Sequence, residues 1–170
     1  MQGEAKLRPK FNRKEKMLSE QEKIEIDEHL KEDPYKQAAC IEALKVVQKH
    51  RRWVSDDGVK AVAEILEMTP HEVDSIATFY NLIYRKPVGR HVILLCDSVS
   101  CWVMGYEKIL EHFKSKFGIS FGETTADDRF TLLPVPCLGT CDHAPALMID
   151  NDLYRDLKTG TLDDILENYK

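Results

Sequence analysis

Four of the five cysteines stand in two pairs, Cys96 with Cys101 and Cys137 with Cys141, spelling C-x4-C, a gap of 35 residues, and then C-x3-C. The pattern constrains the fold because paired thiols at such spacings act together, so the chain must bring two distant loops to one point. Persistent disulfides suit an oxidising compartment. A thiol-exchange pair would present C-x-x-C with one thiol at a helix start, which C-x4-C does not. Structural zinc accepts four thiolates, usually from knuckles with two to four residues inside each pair. A [2Fe-2S] cluster also takes four thiolates, two to each iron, and its bulk favours wider loops. Spacing favours the cluster and leaves zinc as the competitor. Cys40 stands apart, on a helical stripe with Leu44 and Val47, and reads as a small buried apolar side chain.

Hydrophobic periodicity divides the chain near residue 88. Ser19 with Glu22 spells a capping box, and Val59, Val62, Ala63 and Leu66 repeat at helical spacing. Thr69, Pro70 and Glu72 supply an N-cap, an N1 proline and a box glutamate for a helix whose predicted buried face is Val73, Ile76, Ala77 and Tyr80. Residues 19–87 are therefore expected to form a helical bundle. Lys86-Pro87-Val88-Gly89-Arg90 breaks the pattern, and a β-rich run, His91 to Leu95, leads into Cys96. A helix stripe follows in Tyr106, Ile109, Leu110, Phe113 and Phe117, closed by Gly118, and the polar GETTADD segment precedes the strand-like FTLLPV. Ala146–Asp150 and Leu153–Asp156 flank Asn151 and Asp152 as a predicted hairpin turn, and Leu162, Ile165, Leu166 and Tyr169 mark a last helix. The expected order for residues 88–170 is β-α-β-β-β-α.

Charge narrows the function classes. Residues 1–16 carry six Lys/Arg against two Glu, within a chain of net charge −5. A disordered basic arm, residues 1–18, is thus expected to precede an acidic body, which is the wrong sign for binding nucleic acid. The first residues show no apolar core of a secretory signal, and no run of about 18 apolar residues occurs, so a cytoplasmic protein without membrane insertion is expected. Neither G-x-G-x-x-G nor G-x-x-x-x-G-K-[ST] is present, so the chain is expected to bind no nucleotide alone and to have no catalytic residue of its own for hydride transfer.

The surroundings of the four cysteines suit an anionic centre. A helix opening near Trp102 would aim backbone N–H groups at Cys96 and Cys101, and Gly139 in CLGTC would let the backbone pass close to an inorganic sulfur. Pro136, which fixes φ before Cys137, suits a stiff loop and equally an ordinary turn. Trp102 is placed either as a shield over the centre or packed on the sheet. Asp142, next to Cys141, either tunes the centre electrostatically or caps a turn. His143 is a spare imidazole, because four cysteines already complete a ligand set. The ATFY segment reads either as a docking patch or as core; Tyr80 and Ala77 are expected in the helical core, and Phe79 is undecided between the two.

The strings EALKVVQKHRRWVSDDGVKAVAEIL, VDSIATFYNLIYRKPVGRHVILLCDSVSC and PCLGTCDHAPALMID together resemble the thioredoxin-like [2Fe-2S] subunit of respiratory NADH:quinone oxidoreductase, complex I. The resemblance runs collinearly over roughly residues 20–170. It implies a helical bundle followed by a thioredoxin-like domain, α/β in class, with one [2Fe-2S] cluster held by Cys96, Cys101, Cys137 and Cys141. It also implies a place in the peripheral arm of an inner-membrane complex, beside a partner subunit that oxidises NADH with FMN and passes electrons through iron-sulfur centres toward quinone. The same resemblance extends to diaphorase modules of NAD-linked hydrogenases and formate dehydrogenases. Arg52 departs from it, standing where the family usually has glycine before the tryptophan matching Trp53.

Overall fold

The computed structural model describes residues 18–170. The basic arm, apart from Leu18, lies outside the described residues. The chain divides into two compact units, one ending at Pro87 and the other comprising Val88–Lys170.

The described part of the first unit is helical: α1 (Glu20–Glu32), α2 (Cys40–Arg51), α3 (Asp56–Leu66) and α4 (Pro70–Phe79), with the 3-10 turn Lys36–Ala39 leading into α2. Local chemistry sets each start. Ser19 and Glu22 form a reciprocal capping box on α1, Thr69 and Glu72 form another on α4, and Ser55 Oγ accepts from Gly58 N on α3. Cys40, Leu44, Val47, Val59, Val62, Ala63, Leu66, Val73 and Ala77 all enter one buried core. Burial pushes the Cys40 thiol up to about 11, so it stays neutral and inert. Glu22, only 2% exposed, is held by Arg51 through Nε to Oε1 at 2.6 Å and Nη2 to Oε2 at 2.8 Å. α2 ends at Arg52, whose φ of 71° is the left-handed conformation glycine adopts most easily, so the non-glycine residue keeps a glycine geometry. Tyr80 departs from expectation. It follows α4 in an extended conformation and is 43% exposed, stacked edge-on against Phe79, because the helix stops one residue before its side chain could join the stripe.

The second unit is a five-stranded mixed sheet with helices, in the chain order β1 (His91–Cys96), α5 (Val99–Val103), α6 (Tyr106–Phe117), β2 (Glu123–Thr124), β3 (Phe130–Val135), β4 (Leu147–Ile149), β5 (Asp152–Tyr154) and α7 (Thr159–Glu167). The strands lie in the order β2-β3-β1-β4-β5; β1 and β3 are parallel and the other pairs antiparallel. Ile109 and Phe113 of α6 and Leu162 and Leu166 of α7 pack with Ile93, Leu95, Phe130, Leu132, Leu147 and Ile149 of the sheet. Three details differ from the expected β-α-β-β-β-α. The helix after β1 starts at Val99, not near Trp102, and is interrupted at Gly105, whose φ of 93° no continuing helix can hold. A two-residue edge strand, β2, sits inside the polar GETTADD segment, where so short a strand leaves no alternation to read. The β4–β5 turn is Asp150-Asn151, because Ile149 pairs with Asp152 and Asp150 takes the left-handed φ of 52°.

Candidate metal centre at the end of the parallel strands

The parallel register brings the two cysteine loops together. Cys96, the last residue of β1, is opposite Val135, the last residue of β3, so Cys137 emerges two residues beyond the strand end that neighbours Cys96. Chain direction then separates two environments. Cys96 and Cys101 are 2% and 1% exposed, whereas Cys137 and Cys141 are exposed to solvent. Cys101 lies in the first turn of α5, which returns the thiol toward the strand end it left.

Hydrogen bonds tie the loops to one another. Cys96 Sγ lies 3.4 Å from Ser98 Oγ, and the Leu138 backbone N–H from the opposite loop also reaches Cys96. Ser100 meets the Cys141 thiol, and the Ala146 backbone N–H meets Cys101. Gly139 N–H donates to Cys137 Sγ at 3.3 Å, from a residue with φ of 75°. Burial works against a thiolate at Cys96, but donation from Ser98, Cys101 and Leu138 outweighs it and holds that thiol below its ordinary value. Burial and the neighbouring Cys96 push Cys101 up, and Cys137 pushes Cys141 up. Such thiols resist ionising side by side and ionise together when a cation joins them.

The one sulfur–sulfur distance fits thiolates sharing a metal. Cys137 Sγ and Cys141 Sγ are 3.6 Å apart. Two sulfurs at about 2.3 Å from one tetrahedral metal lie about 3.8 Å apart, whereas a disulfide requires about 2.05 Å. Among the described residues no three His, Cys, Asp or Glu side chains gather as a site for a single ion. The thiols divide into an enclosed pair, Cys96 and Cys101, and an exposed pair, Cys137 and Cys141.

The profile of the thioredoxin-like [2Fe-2S] ferredoxin family matches residues 26–170. The chain belongs to this family. Among proteins similar to this thioredoxin-like ferredoxin are the E subunit of the NADH-quinone oxidoreductase of Pseudomonas aeruginosa, 50% identical over 155 residues that cover 90% of this chain and 92% of the relative, and its counterpart in Escherichia coli strain K12, 49% identical over 152 residues, 89% and 90%. Among solved structures, the NAD+-reducing [NiFe]-hydrogenase in the air-oxidized state is similar in fold, with a TM-score of 0.66 and 24% identity, over 77% of this chain but 22% of that one.

Around the four cysteines of the ferredoxin the other expectations sort by geometry. Trp102 is 56% exposed, its Nε1 donating to Glu107 Oε1 at 3.3 Å, so it packs on no sheet. His143 is engaged by carboxylates, with Nδ1 2.8 Å from Asp156 Oδ2 and Nε2 3.5 Å from Asp142 Oδ2. Asp142 itself opens to solvent, its side chain 78% exposed. Sequence reasoning missed Ser98 and Ser100, which touch Cys96 and Cys141. The only local signal was a serine at each alternate position between the first two cysteines.

Proposed function

We propose that this chain is the electron-transfer subunit of an NADH-quinone oxidoreductase and holds one [2Fe-2S] cluster on Cys96, Cys101, Cys137 and Cys141. The observation that carries the reading is the convergence of two thiol pairs at the adjoining ends of β1 and β3. The near-full-length likeness to proteins named as one particular component of that oxidoreductase supports the assignment. Cys96 and Cys101 would hold one iron, and Cys137 and Cys141 the other. When bound, the cluster supplies reversible one-electron storage.

This chain's residues then do three things. The thiolates would hold the cluster, and the enclosed Cys96 and Cys101 would keep water from that side of it. Gly139 N–H, Leu138 N–H, Ala146 N–H and the Ser98 and Ser100 hydroxyls place positive dipole ends against the sulfurs, offsetting the charge that four thiolates bring together. The exposed Cys137–Cys141 loop leaves the other side open to an electron-exchanging neighbour. NADH and FMN belong on a partner flavoprotein subunit, with this chain in the peripheral arm of the membrane-bound translocase. No helix among the described residues is long and apolar enough to cross a membrane.

Chain purified anaerobically is expected to be red-brown, with about two iron and about two acid-labile sulfide per polypeptide. It is also expected not to oxidise NADH with artificial acceptors until the flavoprotein partner is added. Colourless protein carrying stoichiometric zinc overturns the cluster, and unaided NADH turnover overturns the division of labour.

A further inference from the structure

The four thiols are unequal in exposure. Cys96 and Cys101 are almost fully enclosed, and Cys101 is further tied within α5. Cys137 and Cys141 are both exposed, with their sulfurs 3.6 Å apart across a loop whose centre is Gly139. A Cβ at Gly139 would meet nothing within 4 Å, so the loop has open space around it. Disulfide bonding needs the sulfurs about 1.5 Å closer, a movement that a short glycine-centred surface loop can supply more cheaply than a strand end clamped in a sheet. Cys40 is 1% exposed inside the helical unit and offers no competing thiol.

We propose that Cys137 and Cys141 form a reversible redox latch: in the cluster-free chain they close to an intrachain disulfide by exchange with a low-molecular-weight disulfide, while Cys96 and Cys101 stay reduced. One exposed thiolate attacks the small disulfide, forming a mixed disulfide and releasing one small thiol. The second exposed thiolate attacks the protein sulfur of that mixed disulfide and releases the other small thiol. The two cysteines lose two electrons, the small disulfide gains them, and the two cysteine protons end on the two released thiols. The closed latch removes one pair of ligands, so cluster insertion must wait for a dithiol to reopen it. The consequence for loading rests on the proposed ligand set; the selectivity of the disulfide does not.

The test uses the full chain stripped of iron and treated with oxidised glutathione, then denatured, alkylated and mapped by mass spectrometry. The expected result is loss of two alkylatable thiols from the five, with a Cys137–Cys141 cross-link and Cys96, Cys101 and Cys40 alkylated. Ferrous iron and sulfide are expected to restore the visible spectrum of the cluster only after dithiothreitol. Cys137→Ser is expected to leave a persistent glutathione adduct on Cys141 and no cross-link, with unchanged far-UV circular dichroism showing that it folds. A Cys96–Cys101 bridge, a scrambled mixture, or stable glutathione adducts on the parent chain overturns the latch. A clean Cys137–Cys141 cross-link in a chain that never takes up iron, even reduced, upholds the disulfide selectivity and overturns both the cluster reading and the gating role.

Discussion

Gly139 provides a test in which two local energies compete. Its φ of 75° lies in the left-handed region, and its N–H reaches Cys137 Sγ at 3.3 Å. Replacing it by alanine meets no steric obstacle, since nothing lies within 4 Å of the added Cβ. The only cost is the left-handed conformation itself, about 1–2 kcal/mol for a residue with a Cβ. The loop could escape that cost by turning its N–H away from Cys137. Doing so forfeits a hydrogen bond to a charged acceptor, about 1.5–3 kcal/mol. The hydrogen bond wins, so Gly139→Ala is expected to keep the loop geometry, assemble the cluster, and lose about 1–2 kcal/mol of stability. Because the N–H favours the more negative reduced state, its loss would lower the midpoint; a differential interaction of about 1.4 kcal/mol corresponds to about 59 mV for one electron. Redox titration followed by EPR, with iron and sulfide analysis, is the assay. The alanine variant is expected within about 15 mV of the parent, about a quarter of that interval. Gly139→Pro, which removes the donor and locks φ near −65°, is expected to lose most of the cluster. A drop of about 60 mV in the alanine variant, with the cluster intact, would show that the loop surrenders the hydrogen bond and that the energies were ranked wrongly.

Replacing any one of Cys96, Cys101, Cys137 or Cys141 by serine is expected to weaken or abolish the two-iron EPR signal, and Cys40→Ser to leave it intact; loss of signal in a folded Cys40 variant contradicts the ligand set. Asp142→Asn is expected to raise the midpoint by no more than a few tens of millivolts, because the side chain is 78% exposed and solvent screens it; a shift above about 100 mV would place the carboxylate's charge in a far drier setting. Glu22→Gln should destabilise the helical unit by about 2–4 kcal/mol in urea titration, since it breaks a bidentate pair whose carboxylate is 2% exposed. Burial opposes the Glu22 charge, but Arg51 and Ser19 outweigh it and hold the carboxyl below 4.5, so its stabilisation is complete above that pH and is lost as pH falls through the lower native value; a variant with the parent's acid sensitivity over that window refutes the assignment. Gly89→Ala should lower the melting temperature of the sheet unit, because its Cβ would stand 3.0 Å from both Asp128 O and Phe130 C, backbone atoms that cannot step aside, at a cost of about 1–3 kcal/mol; an unchanged melting curve would show that the β1–β3 end is not packed this tightly.

The helical unit was legible because its signals are local. Ser19 with Glu22 and Thr69 with Glu72 fall within one turn, and the Val59–Leu66 stripe is a property of consecutive residues. Helix interruption at Gly105 was less visible, because glycine permits a positive φ without requiring one. Tyr80 escaped for the opposite reason: an apolar side chain at helical spacing reads as core, and only the endpoint of α4 leaves it in solvent; Trp102, read as a shield over the centre or as packed on the sheet, is exposed by the path of α5. Periodicity also cannot state which strands become neighbours, so the hydroxyl of Ser100 acquired its partner on the Cys141 loop only when β1 and β3 paired.

The sequence by itself determined the inventory of the site, four cysteines in two closely spaced pairs with Gly139 between the last two, because residue type and short-range spacing are written in the chain. Tertiary structure decided their inequality. The parallel register that sets Cys96 opposite Val135 encloses one pair and leaves the other at the surface, and burial is fixed by neighbours distant in sequence, which no local pattern encodes.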